Sequence, residues 1–267
     1  MKNMQCSFWY FLMMVLFFLL TGCQKDKLPE VKNSKHYELS STNTKSRYNI
    51  FIAYPENYQS DKFYNVIYML DGDDYFEEAA NALRKTSHNN IVLVGVGYNS
   101  KNKRGRDYSY PNDADFKGSS GGAKKFLKFL TEELTPFLTN QIGLQHQESI
   151  LYGHSLGGYF ALYTMFQQSQ NHFFDAFIAV SPNLMWADAY LFKLEESYFQ
   201  TTNILPKKLY LSVGDLEGVS QNLFYQAFYR KLEDREYAQF DFYAERLSNT
   251  THRNTPIRAF KNFLDNI

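Results

Sequence analysis

Past residue 35 the chain alternates short apolar runs with amphipathic stretches, and the alternation predicts its elements. Residues 36–41 and 48–54 read as an opening hairpin, the second strand stopped by Pro55 and a polar turn. The unbroken apolar runs 65–70 and 91–96 predict strands buried on both faces, with a helix over 75–84 between them. Residues 97–122 form a polar loop holding Lys101, Lys103, Arg104 and Arg106; a loop of that length inside a compact domain is a functional candidate. Apolar residues then recur at helical spacing over 123–140, with a kink or break predicted at Pro136. Further strands are expected just before Gly153 and over 174–180, 208–213 and 240–244, with helices over 158–168, 221–236 and 256–267. An aromatic stretch containing Trp186, Tyr190, Phe192 and Tyr198 carries no element prediction. Strands alternating with helices imply an α/β domain, its mostly parallel central sheet covered by helices on both faces.

One junction in this pattern carries chemistry. Gly153-His154-Ser155-Leu156-Gly157 lies between a predicted strand and a predicted helix and matches G-x-S-x-G, the sharp nucleophile turn of the α/β-hydrolase fold. The turn is expected to need small residues two before and two after the serine, which Gly153 and Gly157 supply. Ser155 is therefore the candidate nucleophile, and the helix N-terminus behind it favours negative charge there.

A serine hydroxyl needs a histidine base, and that histidine needs a carboxylate to set its tautomer. In this fold the order along the chain is serine, acid, histidine, each at the carboxyl end of a strand. Of the six histidines, His36, His88 and His146 precede the serine, His154 adjoins it, and His172 stands before a strand. His252, between the last predicted strand and the last helix, is left as the base. The acid belongs in Gly214-Asp215-Leu216-Glu217-Gly218, where both Asp215 and Glu217 qualify; the usual spacing in hydrolases of this type favours Glu217. Two backbone N–H groups should receive the developing oxyanion, one from Leu156 and one from Asp73, where Gly72 lets the backbone approach.

Composition narrows the class. Lys plus Arg and Asp plus Glu both number 28, with no long basic run, so nucleic acid is not an expected partner. The only cysteines are Cys6 and Cys23, near the N-terminus, which leaves the domain without a disulfide, a thiol nucleophile or a thiolate metal site. The N-terminal segment has Lys2, an apolar run over 8–20, and Leu20-Thr21-Gly22-Cys23, which looks like a bacterial lipobox. The run is shorter than the roughly 18 to 20 residues that span a bilayer, so a removed signal segment is expected. Residues 1–22 are read as that signal, 23–34 as a tether lipidated at Cys23, and 35–267 as the folded domain. The expected location is the bacterial cell envelope, periplasmic or surface-exposed, with the membrane a partner through the lipid anchor.

With these pieces placed, the chain resembles the esterase D-like family of α/β-hydrolases, especially the branch of enterobactin and bacillibactin esterases. The resemblance rests on Tyr68-Met69-Leu70-Asp71-Gly72, Arg106-Asp107-Tyr108-Ser109-Tyr110-Pro111, residues 129–137, the serine turn, Ser181-Pro182, Val213-Gly214-Asp215-Leu216-Glu217 and Thr251-His252. It implies a serine esterase without metal or organic cofactor, acting on a small-molecule ester such as a siderophore lactone or an acylated sugar. It also implies that Arg106 contacts an anionic group of the substrate, and Trp186 could wall an acyl or aromatic pocket or equally pack beneath a loop. Arg253-Asn254-Thr255 and Met185-Trp186 depart from the family pattern, which bears on the substrate rather than on the chemistry. Acyl transfer on the same residues and a non-catalytic binding lipoprotein are the competing readings.

Overall fold

The computed structural model describes residues 31–167 and 173–266, so the leader, Cys23 and His172 lie outside the described residues. The strands are β1 (Ser34–Ser41), β2 (Ser46–Ala53), β3 (Phe63–Leu70), β4 (Ile91–Tyr98), β5 (Gln145–His154), β6 (Ala176–Val180), β7 (Ile204–Gly214) and β8 (Ala238–Leu247). They form one sheet in the order β1-β2-β4-β3-β5-β6-β7-β8. β1 and β2 are antiparallel, β2 runs antiparallel to β4, and β4 through β8 are parallel. The expected hairpin forms, and the structure adds it to the edge of a parallel sheet.

Parallel strands covered on both sides need apolar residues at consecutive positions, and β3 shows why. Val66, Tyr68 and Leu70 face one layer while Ile67 and Met69 face the other. The first layer holds α3 (Ala123–Lys128), α4 (Leu156–Met165), α5 (Trp186–Phe199) and α6 (Val219–Arg235). The second holds α1 (Gly72–Leu83) and α7 (Thr255–Asp265), with Phe76, Ala79, Phe260 and Phe263 buried against the strands. A single turn, α2 (Arg104–Asp107), sits inside the long polar loop, where no element was expected.

Several boundaries differ from expectation for identifiable reasons. The helix after β3 begins at Gly72 instead of Tyr75, because Asp71 takes a left-handed conformation (φ 53°, ψ 43°) that turns strand directly into helix. Around Pro136 the helix widens into two π-helical segments, Phe129–Leu134 and Phe137–Gln141. Proline has no N–H to donate, and the hydrogen-bond ladder shifts, as in Ile142 N–H to Phe137 O (3.2 Å). The aromatic stretch folds as α5, whose start is kinked by left-handed residues at Ala187, Asp188 and Ala189. Chain order reverses between β3 and β5, and such a switch opens a crevice at the carboxyl ends of the strands.

Candidate active site

The end of β5 and the start of α4 form the serine turn. Ser155 has φ 57° and ψ −115°, a conformation a non-glycine residue keeps only when its surroundings hold it. They do so here: Ser155 N–H donates to Val180 O (2.9 Å), and Ser155 O accepts from Tyr159 N–H (2.9 Å) and Asn183 N–H (3.0 Å). The hydroxyl is half-buried and has no hydrogen bond among the described residues. A Cβ on Gly153 would lie 2.1 Å from Gly157 O, so the turn requires glycine there. The same is not true of Gly157, where a Cβ would meet Asp71 Oδ2 at an ordinary 3.5 Å. The second crowded position is Gly158, 2.9 Å from Val180 O, because the helix packs there against the end of β6.

Across the crevice, β7 and β8 deliver the acid and the base on two loops that are joined together. Asp215 N–H donates to Leu247 O (3.1 Å), Leu216 N–H to Thr250 O (3.1 Å), and Thr250 N–H to Asp215 Oδ1 (3.1 Å). Asp215 therefore braces the loop that carries the histidine. Glu217 faces the histidine itself, with Oε2 2.6 Å from His252 Nδ1. Its other oxygen, Oε1, accepts from Gly214 N–H (2.7 Å), Thr255 Oγ1 (2.7 Å) and the Ser181 hydroxyl. Burial opposes the charge of Glu217, but the bonds from His252, Ser181, Thr255 and Gly214 outweigh it and hold the carboxyl below its ordinary range. With Nδ1 committed to Glu217, Nε2 is the nitrogen of His252 open to a serine hydroxyl. The His252 ring lies 4.4 Å from the ring of His154, the residue next to Ser155.

The expected oxyanion donors open two helices. Leu156 is the first residue of α4, and Gly72 and Asp73 are the first two of α1, so their N–H groups lack partners within the helix. Gly72 is needed for close approach, since a Cβ there would stand 2.8 Å from the β4 backbone at Gly95 and Val96. The Asp73 carboxylate turns away, accepting from Asn49 Nδ2 (3.2 Å) and from Tyr98 N–H, and thereby ties α1 to β2 and β4.

The two arginines of α2 make different contacts. Arg106 bonds the buried Asp107 (2.6 Å) and Ser46 Oγ (3.0 Å), an arrangement that anchors the loop to β2. Arg104 is the one that reaches the serine turn. It forks onto Asp71 through Nε–Oδ1 (3.0 Å) and Nη2–Oδ2 (3.1 Å), and Nη2 also donates to His154 O (3.3 Å). Asp71 is 3% exposed; burial raises its carboxyl pKa and Arg104 lowers it, with burial the stronger. Trp186 is 7% exposed and packs beneath the loop, with Nε1 3.2 Å from Pro111 O and its ring edge-on to Phe116 at 5.1 Å.

Ser181 and Thr255 as holders of the acid, and Arg104 at the turn, escaped sequence reasoning. Ser181 had one legible signal, its place directly after a strand in Ser181-Pro182.

Fold and serine turn together define an α/β-hydrolase. Comparison with known proteins narrows the class: residues 41–245 match the family described as "Putative esterase", and the chain belongs to that family, whose members are carboxylic ester hydrolases. The chain is 29% identical over 201 residues to the ferri-bacillibactin esterase BesA of Bacillus subtilis, covering 67% of this chain and 69% of that protein. It is 28% identical over 166 residues to the siderophore enterobactin esterase of Emericella nidulans, covering 52% and 54%, about half of each. The crystal structure of the BES protein from Bacillus cereus superposes with a TM-score of 0.80 over 91% of this chain and 97% of that one, at 24% identity, a likeness of fold.

Proposed function

We propose that the protein is a serine esterase that opens ester bonds of a siderophore-type lactone. The observation that carries the chemistry is the 2.6 Å contact between Glu217 and His252 Nδ1 beside the strained Ser155 turn. Ser155 Oγ attacks the ester carbonyl while His252 Nε2 takes the hydroxyl proton, and Glu217 stabilises the imidazolium that forms. The N–H groups of Leu156 and of Gly72 or Asp73 receive the negative oxygen. The C–O bond then breaks, His252 gives its proton to the departing alkoxide, and a water repeats the steps to release the acid and restore Ser155.

The siderophore assignment is supported by the names of the relatives and by the apolar surface that Phe116 (36% exposed) and Met185 (40% exposed) present beside Trp186. The purified domain is tested on a metal-free and a ferric tricatecholate trilactone, beside p-nitrophenyl acetate and acetylated xylan. Ring opening of the trilactone at the highest kcat/KM supports the assignment. A preference for acetylated xylan refutes the substrate, and full activity of Ser155→Ala refutes the mechanism.

The lipidated tether to the bacterial envelope runs in this reading from an acylated Cys23 to residue 30, shorter than the expected 23–34 because Val31 is buried in the core and Ser34 already belongs to β1. The described chain enters at Val31, and Ser34 pairs with Ala53, which pairs with Leu93 near the start of β4. That end of the sheet is opposite the carboxyl ends that carry Ser155 and Glu217, so the site faces away from the tether. Palmitate labelling lost in Cys23→Ser tests the anchor.

A further inference from the structure

His154 precedes the proposed nucleophile, yet the mechanism above leaves it without a part. It is 5% exposed, and its ring meets the His252 ring at 4.4 Å and an interplanar angle of 43°. Nδ1 lies 3.2 Å from the Tyr75 hydroxyl, and Tyr75 belongs to α1, the helix that begins with the oxyanion donors. Nε2 is buried with no partner in good hydrogen-bond geometry among the described residues, and the His252 backbone lies near the ring. His252, by contrast, has a side chain 46% exposed and one strong polar contact, to Glu217. One hydrogen bond fixes a point on an imidazole but leaves the ring free to swing about that bond, so a second support is needed to aim Nε2.

We infer that His154 is a positioning residue for the proposed base: its ring backs one face of His252 and, through Tyr75, ties the base to the helix of the oxyanion hole. This inference rests on the serine-esterase reading. Burial, then the nearby His252 and Arg104, push the His154 pKa down to about 3 against the opposing pull of Glu217, so the ring stays uncharged. The groups that face it are Tyr75 of α1, Arg104 of α2, and Glu217 and His252 of the two joined loops. An uncharged neighbour lets His252 accept its proton without repulsion from a second imidazolium.

The test compares His154→Ala, His154→Phe and Tyr75→Phe with wild type on p-nitrophenyl acetate, recording kcat, KM, Tm and the acid limb of kcat/KM. Removal of the backing ring in His154→Ala is expected to lower kcat by about 10- to 100-fold, the scale of a small misplacement of a reacting group, with KM within about twofold. His154→Phe restores a ring and is expected to recover most of that loss. Its acid limb stays within about 0.3 pH unit of wild type, because an uncharged residue has been replaced by another. Tyr75→Phe is expected to lower kcat by less than His154→Ala. The inference is overturned if His154→Ala keeps kcat within twofold, if His154→Phe is as impaired as His154→Ala, or if the acid limb moves by more than half a unit. Should His154→Ala not fold, His154→Phe decides alone: kcat within about fivefold of wild type supports the role and a larger loss refutes it. Full activity of Ser155→Ala in the same assay would instead dismiss the esterase reading and leave His154 a packing residue.

Discussion

Glu217 Oε2 lies 2.6 Å from His252 Nδ1, while Asp215, two residues earlier on the same loop, bonds the backbone of Thr250. Two carboxylates that local sequence leaves nearly equivalent thus face different parts of one loop, the acidic side chain of one reaching the imidazole and that of the other reaching the main chain. Glu217→Gln is expected to lower kcat on the order of 10³-fold with little change in KM, since an amide cannot stabilise the imidazolium. Asp215→Asn should lower kcat less than tenfold and act through Tm. Steady-state kinetics on p-nitrophenyl acetate with both variants checks this, and a larger fall for the aspartate variant reverses the assignment.

Ser155→Ala is expected to lower kcat by about 10⁴- to 10⁶-fold with an unchanged circular dichroism spectrum. Wild-type protein should take one fluorophosphonate per chain at Ser155, and the alanine variant none. Labelling at any other residue would contradict the proposed nucleophile.

Crowding at the turn predicts a sharp difference between neighbouring glycines. Gly153→Ala places a Cβ 2.1 Å from a backbone oxygen and Gly158→Ala places one 2.9 Å from another, whereas Gly157→Ala makes ordinary contact at 3.5 Å. The unfolding free energy from urea titration should therefore fall strongly for Gly153→Ala, by several kcal/mol (~3 or more), less for Gly158→Ala, and little for Gly157→Ala. Equal losses at all three would show that the turn relaxes.

The buried Asp71 and the half-buried Arg104 form an ion pair that joins the loop of α2 to the end of β3. Arg104→Met leaves a carboxylate buried without its partner and should cost about 3–5 kcal/mol of stability. The double variant Asp71→Asn/Arg104→Met should recover much of that loss, a coupling read from a double-mutant cycle.

Two groups beside the site should subtract stability in acid at different pH, while the carboxyls of Asp71, Asp73 and Asp107, raised by burial, act in the opposite sense. His154 has a pKa pushed down to about 3 from 6.5, so the unfolded chain binds its proton first and stability declines as pH drops below about 6.5, levelling off near 3. Glu217 is held below its ordinary 4.5, so its contribution is present above that value and is lost as pH falls through the lowered one. His146, also lowered by burial, adds to the first effect and is common to all variants tested. Tm measured from pH 7 to 4 should fall less steeply in His154→Phe than in wild type. Parallel slopes would mean that His154 is already protonated when folded.

The sequence by itself determined the layer order, the hairpin at the edge and the place of Ser155, because these follow from local rules. Apolar runs mark strands buried on both faces, helical spacing marks their covers, and a crowded turn admits only glycine at Gly153. Local pattern could not decide which of two acids turns toward His252, where only the usual spacing in hydrolases of this type favoured Glu217, or which of two arginines reaches the turn. Asp215 and Glu217 differ by two positions in one loop, and Arg104 and Arg106 by two in another, so neither periodicity nor composition separates them. The choice is made by long-range contacts: Ser181 and Thr255 converge on one oxygen of Glu217, Asp71 at the end of β3 captures Arg104, and Ser46 of β2 captures Arg106. The same holds for His154, whose neighbours Tyr75 and His252 stand 79 and 98 positions away along the chain and meet it only when the sheet brings three strand ends together.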